Sequence, residues 1–104
     1  MPIEVRPTIA EGTAITKPIR LKCVLAAIRR SGGSTVAVTE EEIVASVLEL
    51  ARMGLYVEPT SAAAAAAYTK LVADNTIRSE ETTIVVLTGS GLKATQRIGE
   101  VLTS

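Results

Sequence analysis

Apolar positions recur along this chain at helical spacing in some stretches and as short unbroken runs in others. Ile19, Leu21, Val24, Leu25 and Ile28 share one helical face after Pro18, which suits a first helical position, and Gly32-Gly33 ends that run. Ser34 to Val38 reads as a short strand. Thr39 followed by Glu42 makes a capping box, and Glu40-Glu41-Glu42 complements the positive end of a helix dipole. Behind it, Ile43, Val44, Val47, Leu48, Leu50 and Ala51 form a broad apolar face that Gly54 terminates. Leu55 to Val57 is a second short strand, and a helix is expected from about Ser61 to Asp74. Thr82 to Thr88 is the third strand, and a last helix after Gly91 places Ala94, Ile98, Val101 and Leu102 together.

The order is one helix followed by three strand–helix units. Alternation of this kind predicts an α/β fold, a short parallel sheet with helical crossovers inside a three-layer α/β/α arrangement. Ile84-Val85-Val86-Leu87 lacks polar alternation, as expected of a strand covered on both faces. Residues 1–17, punctuated by Pro2, Pro7 and Gly12, read as extended or loop, and residues 18–104 as the α/β part of a single segment. No internal repeat or low-complexity linker interrupts it. Six consecutive alanines, Ala62 to Ala67, favour helix and let another helix or a ligand approach closely.

Composition narrows the chemistry. Of 104 residues, 47% are hydrophobic, yet Phe and Trp are absent and Tyr56 and Tyr68 are the only aromatics. The core must be built from Val, Ile, Leu and Ala, and a domain of this size buries only about 60–65% of its unfolded surface. Some apolar surface is therefore expected to stay exposed and to need a partner. Eleven basic and eleven acidic residues balance. With no basic stripe, this argues against nucleic-acid binding. No apolar run approaches the ~18 residues of a membrane span, and Met1-Pro2-Ile3-Glu4 carries no signal-peptide pattern. The lone Cys23 excludes an internal disulfide, fits a reducing cytoplasm, and is expected as a small buried hydrophobe. Without His, zinc sites and Ser-His or Cys-His triads are excluded within the chain. Both tyrosines are expected in the core with a wet hydroxyl.

Two stretches could carry chemistry. Thr88-Gly89-Ser90-Gly91 follows a strand and opens a helix, which gathers backbone N–H groups and hydroxyls at one point. Gly89-x-Gly91-x-x-Ala94 formally matches a dinucleotide fingerprint, but the acidic residue expected ~20 positions later would lie beyond Ser104. On residues alone a tight turn needing glycine is favoured. Glu58-Pro59-Thr60-Ser61-Ala62-Ala63 ends a strand and starts a helix. Thr60 and Ser61 read as caps, and Glu58 either lines the crevice at the sheet's carboxyl end or braces a loop.

Together with Thr8-Ile9-Ala10-Glu11-Gly12, these stretches resemble the C-terminal portion of threonine synthase-like pyridoxal-phosphate enzymes, of the fold type II (tryptophan synthase beta) superfamily. The resemblance runs from about Pro7 to Leu102. It implies that Thr88 faces the pyridine nitrogen of pyridoxal phosphate, that Gly89, Ser90 and Gly91 shape the turn around it, and that Glu58 borders the site. It implies a parent enzyme converting O-phosphohomoserine and water to threonine and phosphate, or alternatively a threonine or serine dehydratase-like enzyme. The family's Schiff-base lysine and Gly-rich phosphate loop have no counterpart here, and Lys93 is not that lysine. The expectation is a cytoplasmic fragment with no catalytic residue, which does not bind the cofactor alone. It would dock on the remainder of the enzyme and self-associate. Glu11, near a cation-holding acidic position in some relatives, is expected to be solvent-exposed or to brace a loop, and no metal is expected. A second reading, from a different class, is a stand-alone, non-catalytic dimerisation or partner-binding module.

Overall fold

The computed structural model describes residues 8–10 and 19–103. Among the described residues four α-helices follow one another: α1 (Leu21–Ser31), α2 (Glu40–Arg52), α3 (Pro59–Ala73) and α4 (Thr95–Thr103), the last entered through a 3-10 turn at Gly91–Ala94.

α2 starts as its sequence dictates. The Thr39 hydroxyl accepts the Glu42 N–H at 3.1 Å, and the Glu42 carboxylate accepts the Thr39 N–H at 2.7 Å. That backbone N–H, assisted by the Lys70 ammonium, holds the Glu42 carboxyl below the ordinary glutamate range. The face carrying Ile43, Val47 and Leu50 packs on Ala62 and its neighbours in α3, and Ile9, Ala10, Val57 and Ile98 complete the core. The alanine run is the reason the two helices can lie so close: Ala62 is 0% exposed. Burying each Val, Leu or Ile there contributes about 1.5–3 kcal/mol. Ile9 and Ala10 reach the core because Glu40 clamps them. Its carboxylate accepts the Thr8 hydroxyl and the Ile9 N–H, the latter at 2.8 Å. The sequence reading placed these two residues in a loop and Glu40 merely on the helix dipole.

The expected parallel sheet is not formed. Among the described residues no strand ladder exists, and the one bridge, Val57 with Ser90, is isolated and antiparallel. A ladder needs a second extended chain about 4.8 Å away. Segment 33–39 instead meets α3, where the Lys70 ammonium donates to the Ala37 carbonyl at 2.8 Å. Segment 82–88 leans Val85 and Leu87 toward α2 and α3, while Ile84 and Val86 are 85% and 65% exposed. The apolar run is therefore covered on one face, not two. Composition favours extended backbone, but it cannot supply the neighbour that makes a sheet.

Other expectations need correction. Cys23 is exposed, because no residue of α1 is buried. Tyr56 and Tyr68 are exposed as well. α3 begins at Pro59 with Glu58 as its N-cap, and no side chain caps it, so Thr60 and Ser61 are not caps. The expected extended lead-in over 1–17 falls, apart from 8–10, outside the described residues, as does Glu11. No helix among the described residues is long and apolar enough to cross a membrane.

Candidate functional site

The two stretches singled out in the sequence meet. The Glu58 N–H donates to the Gly89 carbonyl at 3.1 Å, and the Gly91 N–H donates to the Tyr56 carbonyl at 2.9 Å. These bonds flank the Val57–Ser90 bridge and align residues 56–58 with 89–91. Sequence separation of some thirty residues is thereby closed at a single point beside the start of α3.

Ser61 stitches the joint from the helix side. Its hydroxyl oxygen accepts the Gly89 N–H at 2.7 Å and the Thr88 N–H at 3.1 Å, and it lies 3.0 Å from the Thr88 hydroxyl. Ser61 is 3% exposed, whereas Thr88 is exposed. The cluster therefore joins a buried anchor to an exposed threonine.

Both glycines of the turn sit at close approaches, Gly91 against the Tyr56 ring and Gly89 against the movable Glu58 side chain. A Cβ on Gly89 would stand 2.0 Å from Glu58 Oε1, and one on Gly91 would stand 2.7 Å from the Tyr56 ring. Glu58 thus lies over the turn rather than apart from it. The Tyr56 hydroxyl donates to Thr95 Oγ1 at 2.9 Å, which fixes the ring against the turn. The Ser90 hydroxyl accepts the Leu92 N–H at 3.2 Å and opens the 3-10 turn. Ser90 is thereby engaged in capping.

All five residues read as binding candidates, Glu58, Thr88, Gly89, Ser90 and Gly91, therefore share one locus. Two others, Ser61 and Tyr56, belong with them and were read as a cap and a core residue. For Ser61 the available signal was its place inside the helix, where serine is a weaker helix former than the alanines that follow.

The locus offers hydroxyl and amide chemistry. No group of three or more Cys, Asp or Glu residues able to hold a metal occurs among the described residues. A separate concavity of about 360 Å³ lies between α2 and α3, lined mainly by Leu50, Met53, Leu55, Ala65, Val85 and Leu87. Ser46, Glu49, Tyr68 and Thr69 complete its largely apolar lining.

A family model described as pyridoxal-phosphate dependent enzyme matches residues 1–89. The threonine synthase of Methanosarcina acetivorans is 42% identical over 101 residues, which are 96% of this chain and 25% of that protein. The threonine synthase of Methanocaldococcus jannaschii is 42% identical over 87 residues, 83% of this chain and 22% of that protein. That of Halalkalibacterium halodurans is 38% identical over 92 residues, 88% of this chain and 26% of that protein. The chain spans about a quarter of the length of these curated relatives. With most of its residues matched by the family model, the chain belongs to the pyridoxal-phosphate dependent enzymes.

Proposed function

We propose that this chain is the C-terminal part of a threonine synthase-like enzyme, and that it contributes the hydroxyl-bearing wall of the cofactor site. The parent reaction is conversion of O-phosphohomoserine and water to threonine and phosphate. The observation that carries the reading is the joint itself. Thr88 stands exposed at the point where Glu58, Ser61 and the Gly89–Gly91 turn converge.

The donor set suits pyridoxal phosphate. A hydroxyl can donate to an unprotonated aromatic nitrogen or accept from a protonated one. Pyridoxal phosphate supplies, when bound, an electron sink for reactions at an amino-acid α-carbon. A hydroxyl at the ring nitrogen does not enforce a full positive charge as a carboxylate would, so Thr88 favours elimination and replacement over transamination. Gly89 and Gly91 keep the turn thin, and the Glu58 side chain fills the space a Cβ would take at Gly89. The lysine that binds the cofactor covalently and the loop that cradles its phosphate belong to the remainder of the parent. This chain alone supplies no catalytic residue and does not retain the cofactor.

Docking on that remainder accounts for the bare apolar surface of α1 and of segment 82–88. A reducing cytoplasm suits the single, exposed Cys23. The same bare surface favours a second reading, a non-catalytic module that dimerises or binds a partner. The coding sequence immediately upstream separates the two. A lysine motif and a Gly-rich phosphate loop in frame with Met1 support the enzyme fragment, and their absence there overturns it in favour of the module.

A further inference from the structure

The hydrogen bonds around Ser61 determine which way its proton points. A serine hydroxyl has one proton and two lone pairs. The Thr88 and Gly89 amides are obligatory donors and both aim at Ser61 Oγ, at 3.1 and 2.7 Å. They occupy both lone pairs. The 3.0 Å contact with Thr88 Oγ1 is then Ser61 donating and Thr88 accepting. Thr88 keeps its own proton, and no acceptor for it is found among the described residues. Accepting one hydrogen bond also strengthens a hydroxyl as a donor of the next.

We infer that Ser61 is a positioning residue, which orients the Thr88 hydroxyl as an outward hydrogen-bond donor toward a ligand acceptor. The inference rests on the reading of Thr88 as a ligand-facing group and deepens it, because it assigns the direction of the bond. Ser61 is suited to the task by burial in the first turn of α3, where its backbone is fixed by the helix. A hydroxyl at this place acts on Thr88 at both ends, through the amide and through the side chain.

The test uses nuclear magnetic resonance on the full 104-residue chain. In the unaltered protein the Thr88 side chain is expected in a single χ1 rotamer by three-bond couplings. The Ser61 hydroxyl proton is expected to exchange about tenfold more slowly than a free one, the factor an ordinary net hydrogen bond gives. Ser61→Ala should release Thr88 into rotamer averaging while the amides of α3 stay protected. Ser61→Thr, which keeps the hydroxyl, should restore the single rotamer. Thr88→Val removes the acceptor without touching α3, and should raise Ser61 hydroxyl exchange about tenfold with the amides of residues 88 and 89 still protected. It also keeps the question answerable if Ser61→Ala does not fold.

A single Thr88 rotamer persisting in Ser61→Ala, or unchanged Ser61 exchange in Thr88→Val, overturns the inference whatever the upstream sequence encodes. Conversely, upstream sequence without lysine and phosphate-loop segments overturns the enzyme reading, while a Thr88 rotamer that depends on the Ser61 hydroxyl still upholds the positioning role.

Discussion

Gly91→Ala is the sharpest perturbation of the joint between residues 56–58 and 89–91. The added Cβ would stand 2.7 Å from Tyr56 Cδ1 and Cε1 and 2.8 Å from Cγ. Carbon atoms in comfortable contact sit about 3.5–4.0 Å apart, so the ring must retreat by roughly an ångström. It cannot do so freely, because the Tyr56 hydroxyl is bonded to Thr95 at 2.9 Å and the Tyr56 carbonyl to Gly91 itself. Overpacking of this kind costs about 1–3 kcal/mol. In urea, with a slope of roughly 1–3 kcal/mol per molar for a small domain, the midpoint should fall by about 1 M with the slope unchanged. The control is Tyr56→Ala, which removes the obstacle. In that background the glycine substitution should be nearly silent, a coupling of about 0.5–3 kcal/mol. Gly89→Ala provides the contrast. Its Cβ meets the Glu58 side chain, which can rotate away, so the loss should stay within about 1 kcal/mol. A neutral Gly91→Ala, or an equal loss with and without the Tyr56 ring, would refute the steric argument.

The capping box of α2 ties stability to pH. Glu42 has a folded pKa below its unfolded one, so its contribution is complete above the ordinary glutamate range and is lost as pH falls through the folded value. Glu42→Gln should flatten that acid limb in urea titrations, and Thr39→Ala should cost about 1 kcal/mol at neutral pH. Ala62→Leu, at a position with no exposed surface between α2 and α3, should destabilise by about 1–3 kcal/mol, measured by the same titration. Pyridoxal phosphate mixed with the chain should give no saturable visible band that survives dialysis, and a band trapped by borohydride at one lysine would contradict the division of labour proposed here. The chain should self-associate at micromolar concentration through its bare apolar surface, and Ile84→Asp with Val86→Asp should shift sedimentation toward monomer; a monomer from the outset with no hydrophobic-dye binding would count against it.

Local features were legible in the sequence. The Thr39–Glu42 box, the apolar face of α2 and the stop at Gly54 depend on neighbours within a few positions, and they form as the residues direct. The site was legible for the same reason in part. Short strings such as Glu58-Pro59 and Thr88-Gly89-Ser90-Gly91 name their own turns. That they meet at all depends on a bridge across some thirty residues, which no local pattern specifies. Ser61 escaped notice because a serine near a helix start is usually a cap. Only the arrival of the Thr88 and Gly89 amides turns its hydroxyl to another purpose.

The missing sheet follows from the same distinction between local and non-local order. Backbone extension is a property that Ile84 to Leu87 can encode by themselves, through β-branched and aliphatic bulk. Pairing is a property of two segments, and the hydrogen bonds of an edge stay unsatisfied until the second arrives. Segment 82–88 has already spent one face on the helices, since Val85 and Leu87 lean inward, and it leaves Ile84 and Val86 bare. A strand-like segment that ends at Thr88 delivers its last residue to the site, where Ser61 holds it. Because Ile84 and Val86 lie in the same extended segment as Thr88, variants at these two positions should be read at Thr88 as well as in the sedimentation cell.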